Sequence, residues 1–227
     1  MKFPRTPHVY AEYSGLEPDD LRYSSEESDN ILKGKYVVLT EKLDGSNVSI
    51  SFSPGLEITH RGNHTEGYEF SLLKSWCAAN MDKLRQELNE KTIFGEWLYL
   101  RHTIPYKYLP HYLILFDVFD HNRGFLSYEQ VVKIASNLNL PHAPILYEGI
   151  FPGFEFLKNL LERKSEFGDE KIEGVYGRVQ ENGLTVFRFK FVNPEFIQKV
   201  DQSDHWKRKR PEIQGLRTIL DDLFNVE

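Results

Sequence analysis

The chain is poor in cysteine and has no long apolar run, and each absence narrows what it can be. Its 227 residues include a single cysteine, Cys77. One thiol makes no disulfide framework and no cysteine-based zinc site, which predicts a reducing, cytoplasmic setting. No stretch approaches the roughly 20 apolar residues that cross a bilayer. Met1-Lys2-Phe3-Pro4-Arg5 lacks the apolar core of a signal peptide, so no membrane partner is expected. Internal repeats and low-complexity tracts are missing as well. The net charge of −6 shows no basic excess. That argues against a surface coated in nucleic acid, while leaving room for a local basic site.

What the chain does have is core. Hydrophobic residues make up 40% and aromatics 14%, enough to exclude wholesale disorder. The length suits one domain, or one with an appendage. Residues 1–35 read as irregular, with the polar stretch 24–30 as a surface loop. Strands are predicted near 36–42, 47–52 and 56–61, where Val48, Ile50 and Phe52 alternate with serines. Asp44-Gly45 is a strong turn signal between apolar flanks and predicts a hairpin. Phe70, Leu73, Cys77, Met81, Leu84 and Leu88 recur at three- and four-residue steps, predicting one amphipathic helix over about 68–89. A strand near 92–97, a long aromatic loop and a nearly continuous apolar run, Tyr112 to Phe119, follow. Ser127 reads as the N-cap of a helix to about Leu138. A short strand at 145–150, a helix from Phe154 to about Arg163, and strands near 173–180 and 184–192 around Asn182-Gly183 come next. Pro194 opens a short helix, and a terminal helix is expected from about Pro211. Hairpins with helices between them predict an α+β fold with antiparallel sheets and flanking helices.

Five islands carry possible chemistry. Lys42 stands at a strand end before Asp44-Gly45-Ser46, where it is either a hairpin residue or a nucleophile over a pocket. His60-Arg61-Gly62-Asn63, Phe94-Gly95-Glu96 and Lys171-Ile172-Glu173-Gly174 also lie at strand ends. In Phe187-Arg188-Phe189-Lys190-Phe191 two cations alternate with aromatics, so Arg188 and Lys190 share one strand face. Each island alone is most simply a solvated strand end. Together they supply what a nucleotidyl-transfer pocket needs: an amine, cations for phosphate, carboxylates for a metal and a ribose, and aromatics for a base.

In that order the islands resemble the covalent nucleotidyltransferases: ATP-dependent RNA and DNA ligases and mRNA capping enzymes. Lys42-Leu43-Asp44-Gly45 is similar to their motif I (K-x-D-G), Phe94-Gly95-Glu96 to motif III and Leu115-Phe116-Asp117-Val118 to motif IIIa. Glu173-Gly174-Val175 is similar to motif IV and Arg188-Phe189-Lys190 to motif V. The RNA-ligase branch resembles the chain most, through Glu41-Lys42 with Gly45-Ser46-Asn47 and through Gly95-Glu96-Trp97-Leu98-Tyr99 with His102, Ile104, Pro105 and Tyr106. The likeness spans roughly residues 36–200.

The resemblance implies a nucleotidyltransferase (ATP-grasp-like ligase) catalytic domain that uses ATP with Mg²⁺ or Mn²⁺. Lys42 would attack the α-phosphorus and carry AMP as a lysyl phosphoramidate. AMP would then pass to an RNA 5′-phosphate for joining to a 3′-hydroxyl, as in RNA repair. By the same likeness Glu96 holds the ribose, Phe116 stacks on the purine, Glu173 organises the metal and Arg188 and Lys190 hold phosphate. Arg61 touches the ribose or a 5′-phosphate, and Glu41 and Asn47 belong to the nucleotide site. The implied partners are RNA ends or a nicked duplex. A DNA-nick ligase, another NTP-dependent nucleotidyltransferase and a non-catalytic nucleic-acid-binding relative are the alternatives.

Two features depart from the pattern. Motif V begins with Arg188 where the family usually has lysine; arginine keeps the charge but is not interchangeable with it. The 37 residues after Lys190 are too few for an oligonucleotide-binding (OB) barrel. The expected layout is therefore an adenylation domain over 1–200, then a basic segment and helix over 201–227 with no OB domain. Lys207, Arg208, Lys209 and Arg210 are candidates for nucleic-acid phosphate contacts.

Overall fold

The computed structural model describes residues 1–11, 20–52, 54–60, 63–196 and 211–223. In chain order the elements are α1 (Ser25–Leu32), β1 (Tyr36–Lys42), β2 (Ser46–Phe52), β3 (Leu56–His60) and β4 (Asn63–His64). A 3₁₀ turn (Tyr68–Phe70), α2 (Ser71–Ala79), α3 (Met81–Glu87) and β5 (Lys91–Trp97) follow. Next come β6 (Leu113–Asp120), β7 (Gly124–Phe125), α4 (Tyr128–Asn137), β8 (Ile145–Ile150), α5 (Phe154–Leu161), β9 (Gly174–Glu181) and β10 (Leu184–Val192). A last 3₁₀ turn covers Leu220–Leu223.

The strands form two antiparallel sheets, in the orders β10-β9-β1-β8 and β4-β3-β2-β5-β6-β7. The α+β reading with antiparallel sheets and flanking helices holds. β1 is buried on both sides: Val37 and Leu39 join one core with α1 and α5, while Val38 joins the other with α2, α3, α4 and the second sheet. That two-sided burial explains why Tyr36 to Leu39 is an apolar run, not an alternating one. Among the described residues no helix is long and apolar enough to cross a membrane.

Four local expectations are corrected. Asp44-Gly45 does not close a hairpin: β1 pairs with β8 and β9, and β2 pairs with β3 and β5. The link instead carries the chain from one sheet to the other. The stretch read as a loop at 24–30 mostly forms α1, because Ser24 and Glu27 make a reciprocal capping box. The helix predicted over 68–89 breaks at Asn80, whose side-chain amide donates to the Trp76 carbonyl at 3.0 Å and competes with the helical ladder. The terminal helix expected from Pro211 is absent over 211–219. There the chain bridges Leu100 and Leu109 through Ile213 and Leu216. Buried Gln214 accepts from the Tyr106 N–H and donates to the Ile104 carbonyl, both at 2.9 Å. The Asn182-Gly183 hairpin does form, with φ of 52° and 75° at the two positions, as a type I′ turn requires.

Candidate active site

The link between the sheets places Lys42 at the end of β1, facing the cleft that the sheets enclose. Gly45 is forced by proximity. A Cβ there would lie 2.6 Å from Leu98 Cδ2 and 2.8 Å from the Trp97 carbonyl oxygen. The Gly45 N–H donates to Glu96 Oε1 at 3.1 Å. Asp44 is used structurally: its Oδ2 accepts from the N–H groups of Thr103 and Ile104, both at 2.7 Å. The Asp44 N–H donates to the Tyr106 hydroxyl at 2.9 Å. Motif I is thereby tied to the 98–110 loop, which Gln214 fastens from its other side.

Glu173 reaches Lys42 from the neighbouring strand. The register pairs Lys42 with Gly174, and Lys42 Nζ donates to Glu173 Oε1 in an ion pair. On the second sheet Asn47 lies opposite Glu96. A cavity of about 390 Å³ is lined by Glu41, Lys42, Gly45, Asn47, Glu96, Phe116, Ala143, Tyr176 and Lys190, and by residues 2–6. Residues far apart in sequence therefore meet at one cleft, as their order suggested.

Burial works against every charge here and sets the direction for all of these groups except Lys42. For Lys42, burial pulls downward, but Glu173, with help from Glu96 and Asp44, holds the amine above its ordinary value. Burial pushes Glu173 up to about 7 against the opposing charge of Lys42. Burial likewise raises Glu96 to about 8 and Glu41 to about 7. Lys190 is lowered, first by burial and then by the charge of Lys42.

Not every expected residue reaches the cavity. Arg188 shares the Lys190 face but turns aside. Its guanidinium lies over Phe125 at 3.6 Å and Phe3 at 4.8 Å, with Nη1 3.8 Å from Asp117 Oδ2. Arg61 lies outside the described residues, as do Lys207, Arg208, Lys209 and Arg210.

Sequence reasoning missed the buried link between the sheets. Arg178 on β9 has no exposed surface, and its Nε donates to Asp117 Oδ1 on β6 at 2.7 Å. The Tyr176 hydroxyl donates to Asp117 Oδ2 at 2.6 Å, and Arg178 also donates to Thr40 Oγ1 and the Phe116 carbonyl. The available signal was one acid and one base, each alone inside an apolar strand.

Among the described residues no group of three or more His, Cys, Asp or Glu could hold a metal unaided. Glu173 Oε2 is buried and has no hydrogen-bond partner. Magnesium commonly takes one or two carboxylates and completes its shell with water and substrate phosphates. The donor set fits a divalent ion held largely by a nucleotide's phosphates.

The RNA ligase family model matches residues 35–192, more than half of the chain. The chain belongs to the RNA ligase family. Solved structures place it on the same fold. A Naegleria gruberi RNA ligase with PPi aligns at TM-score 0.64 and 19% identity, covering 89% of this chain and 63% of that one. A point mutant of that ligase with ATP and Mn gives 0.59 and 16%, covering 88% and 62%. Another, with AMP and Mn, gives 0.60 and 17%, covering 87% and 63%. This RNA ligase family member thus spans just under two thirds of those chains. No curated protein sequence matches it.

Proposed function

We propose that this protein is an ATP-dependent RNA ligase whose nucleophile is Lys42. The observation that carries the reading is the meeting, at one cleft, of Lys42, Glu173, Glu96, Asn47, Phe116 and Lys190 from five strands and the residue before a sixth. In the resting site Glu173 holds Lys42 as an ammonium. Attack needs the neutral amine, and the Lys42 proton lies on the hydrogen bond to Glu173 Oε1, which is placed to accept it as the nitrogen bonds to phosphorus. The nitrogen bonds to the α-phosphorus, the bond to the bridging oxygen breaks and pyrophosphate leaves. Lys190 balances charge on the phosphate, Phe116 stacks on the base and Glu96 and Asn47 address the ribose side.

A divalent ion bound at Glu173 with the triphosphate would supply charge neutralisation. An RNA 5′-phosphate oxygen then attacks the phosphoramidate and releases Lys42. A 3′-hydroxyl attacks the activated 5′-phosphate, and AMP leaves. The choice of ATP rests on the likeness to ATP-dependent RNA ligases; Glu41, which lines the cleft, is placed to accept from the amino group of a bound base.

Residues 1–200 would form the adenylation domain. Arg61 and the Lys207–Arg210 segment would meet RNA phosphates at paired or nicked ends. Incubation with α-labelled ATP and Mg²⁺ should give a covalent protein–AMP adduct that Lys42→Ala abolishes. Folded protein that forms no adduct refutes the reading. Sealing of nicked RNA over nicked DNA by the adenylated protein separates the RNA ligase from a DNA-nick ligase.

A further inference from the structure

The steps above make no use of the first nine residues, yet residues 2–6 line the cleft that holds Lys42. The segment is fastened to both sheets. At one end the Ser49 hydroxyl on β2 donates to the Met1 carbonyl at 3.0 Å. At the other, Val9 N–H donates to the Lys190 carbonyl at 3.1 Å and Lys190 N–H donates to the Pro7 carbonyl at 2.9 Å. Residues 2–6 must therefore cross from one sheet to the other along the cleft.

Phe3 anchors this crossing. Its ring meets Phe94 at 4.8 Å and Phe116 at 5.2 Å, edge to face, with Tyr176 at 6.5 Å. Arg188 stacks beneath it at 4.8 Å. The ring is only half-buried and lines the cavity beside Phe116. A purine stacked on Phe116 comes up against it.

We infer that residues 1–9 are a strap that completes the nucleotide cleft, and that Phe3 is a base-contacting wall that sets the affinity for the purine. The inference rests on the reading of this cleft as the ATP site. The strap has two separable effects. Phe3 acts on the base, whereas the pairing of Pro7 and Val9 with both backbone groups of Lys190 positions a phosphate-binding cation.

The test is single-turnover adenylation of the full chain over a range of ATP concentrations, for wild type, Phe3→Ala, Phe3→Leu and Phe3→Tyr. Inhibition by inorganic tripolyphosphate is measured in parallel. Phe3→Ala should raise half-saturating ATP about tenfold, the scale of one lost base–aromatic contact, with the saturating rate unchanged. Tripolyphosphate has no base, so its inhibition should stay as in wild type. Phe3→Tyr should restore ATP affinity. Phe3→Leu, which keeps an apolar anchor but no ring, should still bind ATP more weakly than wild type. Unchanged or tighter ATP saturation in Phe3→Ala overturns the inference, the tighter case marking Phe3 as an obstruction. Equal weakening toward ATP and tripolyphosphate also overturns it, since a merely structural role gives that result. A wild type that forms no adduct removes the ligase reading itself and the strap with it; a normal wild type with an unaffected Phe3→Ala removes the strap alone.

Discussion

Replacing Asp117 by alanine removes the carboxylate that Arg178 and Tyr176 share and leaves a fully buried guanidinium without its counter-charge. Breaking a buried pair from one side costs about 3–5 kcal/mol. The orphaned Tyr176 hydroxyl adds about 1 kcal/mol or more, partly offset because Arg178 keeps Thr40 and the Phe116 carbonyl as acceptors. A net loss of about 4 kcal/mol is a large share of the roughly 5–15 kcal/mol that holds a domain folded. With a urea slope of about 3 kcal/mol per molar, the midpoint falls by more than about 1 M. The assay is equilibrium urea unfolding followed by tryptophan fluorescence, since Trp76 and Trp97 are buried. Replacing both partners, Asp117→Leu with Arg178→Met, should recover most of the loss, because an apolar pair leaves no charge stranded. A midpoint shift below about 0.3 M for Asp117→Ala, or a double variant no better than the single one, refutes the reasoning.

Stability should also depend on pH. Glu41, Glu96 and Glu173 are raised from 4.5 to about 7, 8 and 7, so between these values the folded chain binds more protons than the unfolded one. The contribution of these three groups is then full below about pH 4.5 and is lost as pH rises toward 8. Glu96→Gln should flatten the upper part of that fall in urea midpoints measured against pH. Gly45→Ala drives a methyl into the Trp97 backbone oxygen; adduct formation should drop more than about tenfold while overall stability falls by about 1–3 kcal/mol. Lys190→Gln and Arg188→Gln should separate two roles that the sequence pattern joins. The first should slow adduct formation with little change in urea midpoint. The second should lower the midpoint, by losing its stacking on Phe125 and Phe3, and slow the chemistry less.

The strands were legible because alternation and apolar runs follow directly from burial on one or two faces. Lys42, Glu96, Phe116, Glu173 and Lys190 each sit in a short motif; four of them line one cleft and Glu173 pairs with Lys42 beside it. What failed was information that lies outside any local window. Asp44-Gly45 has the composition of a hairpin turn, and only the partners of β1 and β2 reveal that the chain changes sheets there. The Ser24–Glu27 capping box was present in the sequence but hidden by a polar composition that suits loops equally well. At Asn80 the hydrophobic period runs on through the break, since Leu84 and Leu88 remain buried while the backbone does not stay helical. Residues 211–219 carry helix-like spacing, yet the Gln214 side chain finds partners in the Tyr106 N–H and the Ile104 carbonyl. Strand parity puts Arg188 on the face of Lys190 and motif V implies a phosphate role for it; Phe125 and Phe3, both distant in sequence, are what its guanidinium lies over.

The division of the site between the sheets gives these details a common consequence. Glu41, Lys42, Glu173, Tyr176 and Lys190 belong to the β10-β9-β1-β8 side, and Asn47, Glu96 and Phe116 to the other sheet. Under the proposed function the phosphate chemistry would be built on one sheet, and most of the ribose and base contacts on its neighbour. The distance between the amine and the bound nucleotide is then set by how the sheets sit against each other. Among the connections that hold that relation are the Leu43–Gly45 link, the Asp117–Arg178 pair and the strap from Met1 to Val9. A misplacement of about 1 Å between reacting groups can cost about a hundredfold in rate. Substitutions at Gly45 and at the Asp117–Arg178 pair should thus slow adenylation even though neither removes the nucleophile, and the slowing should grow with the distance each allows the sheets to part.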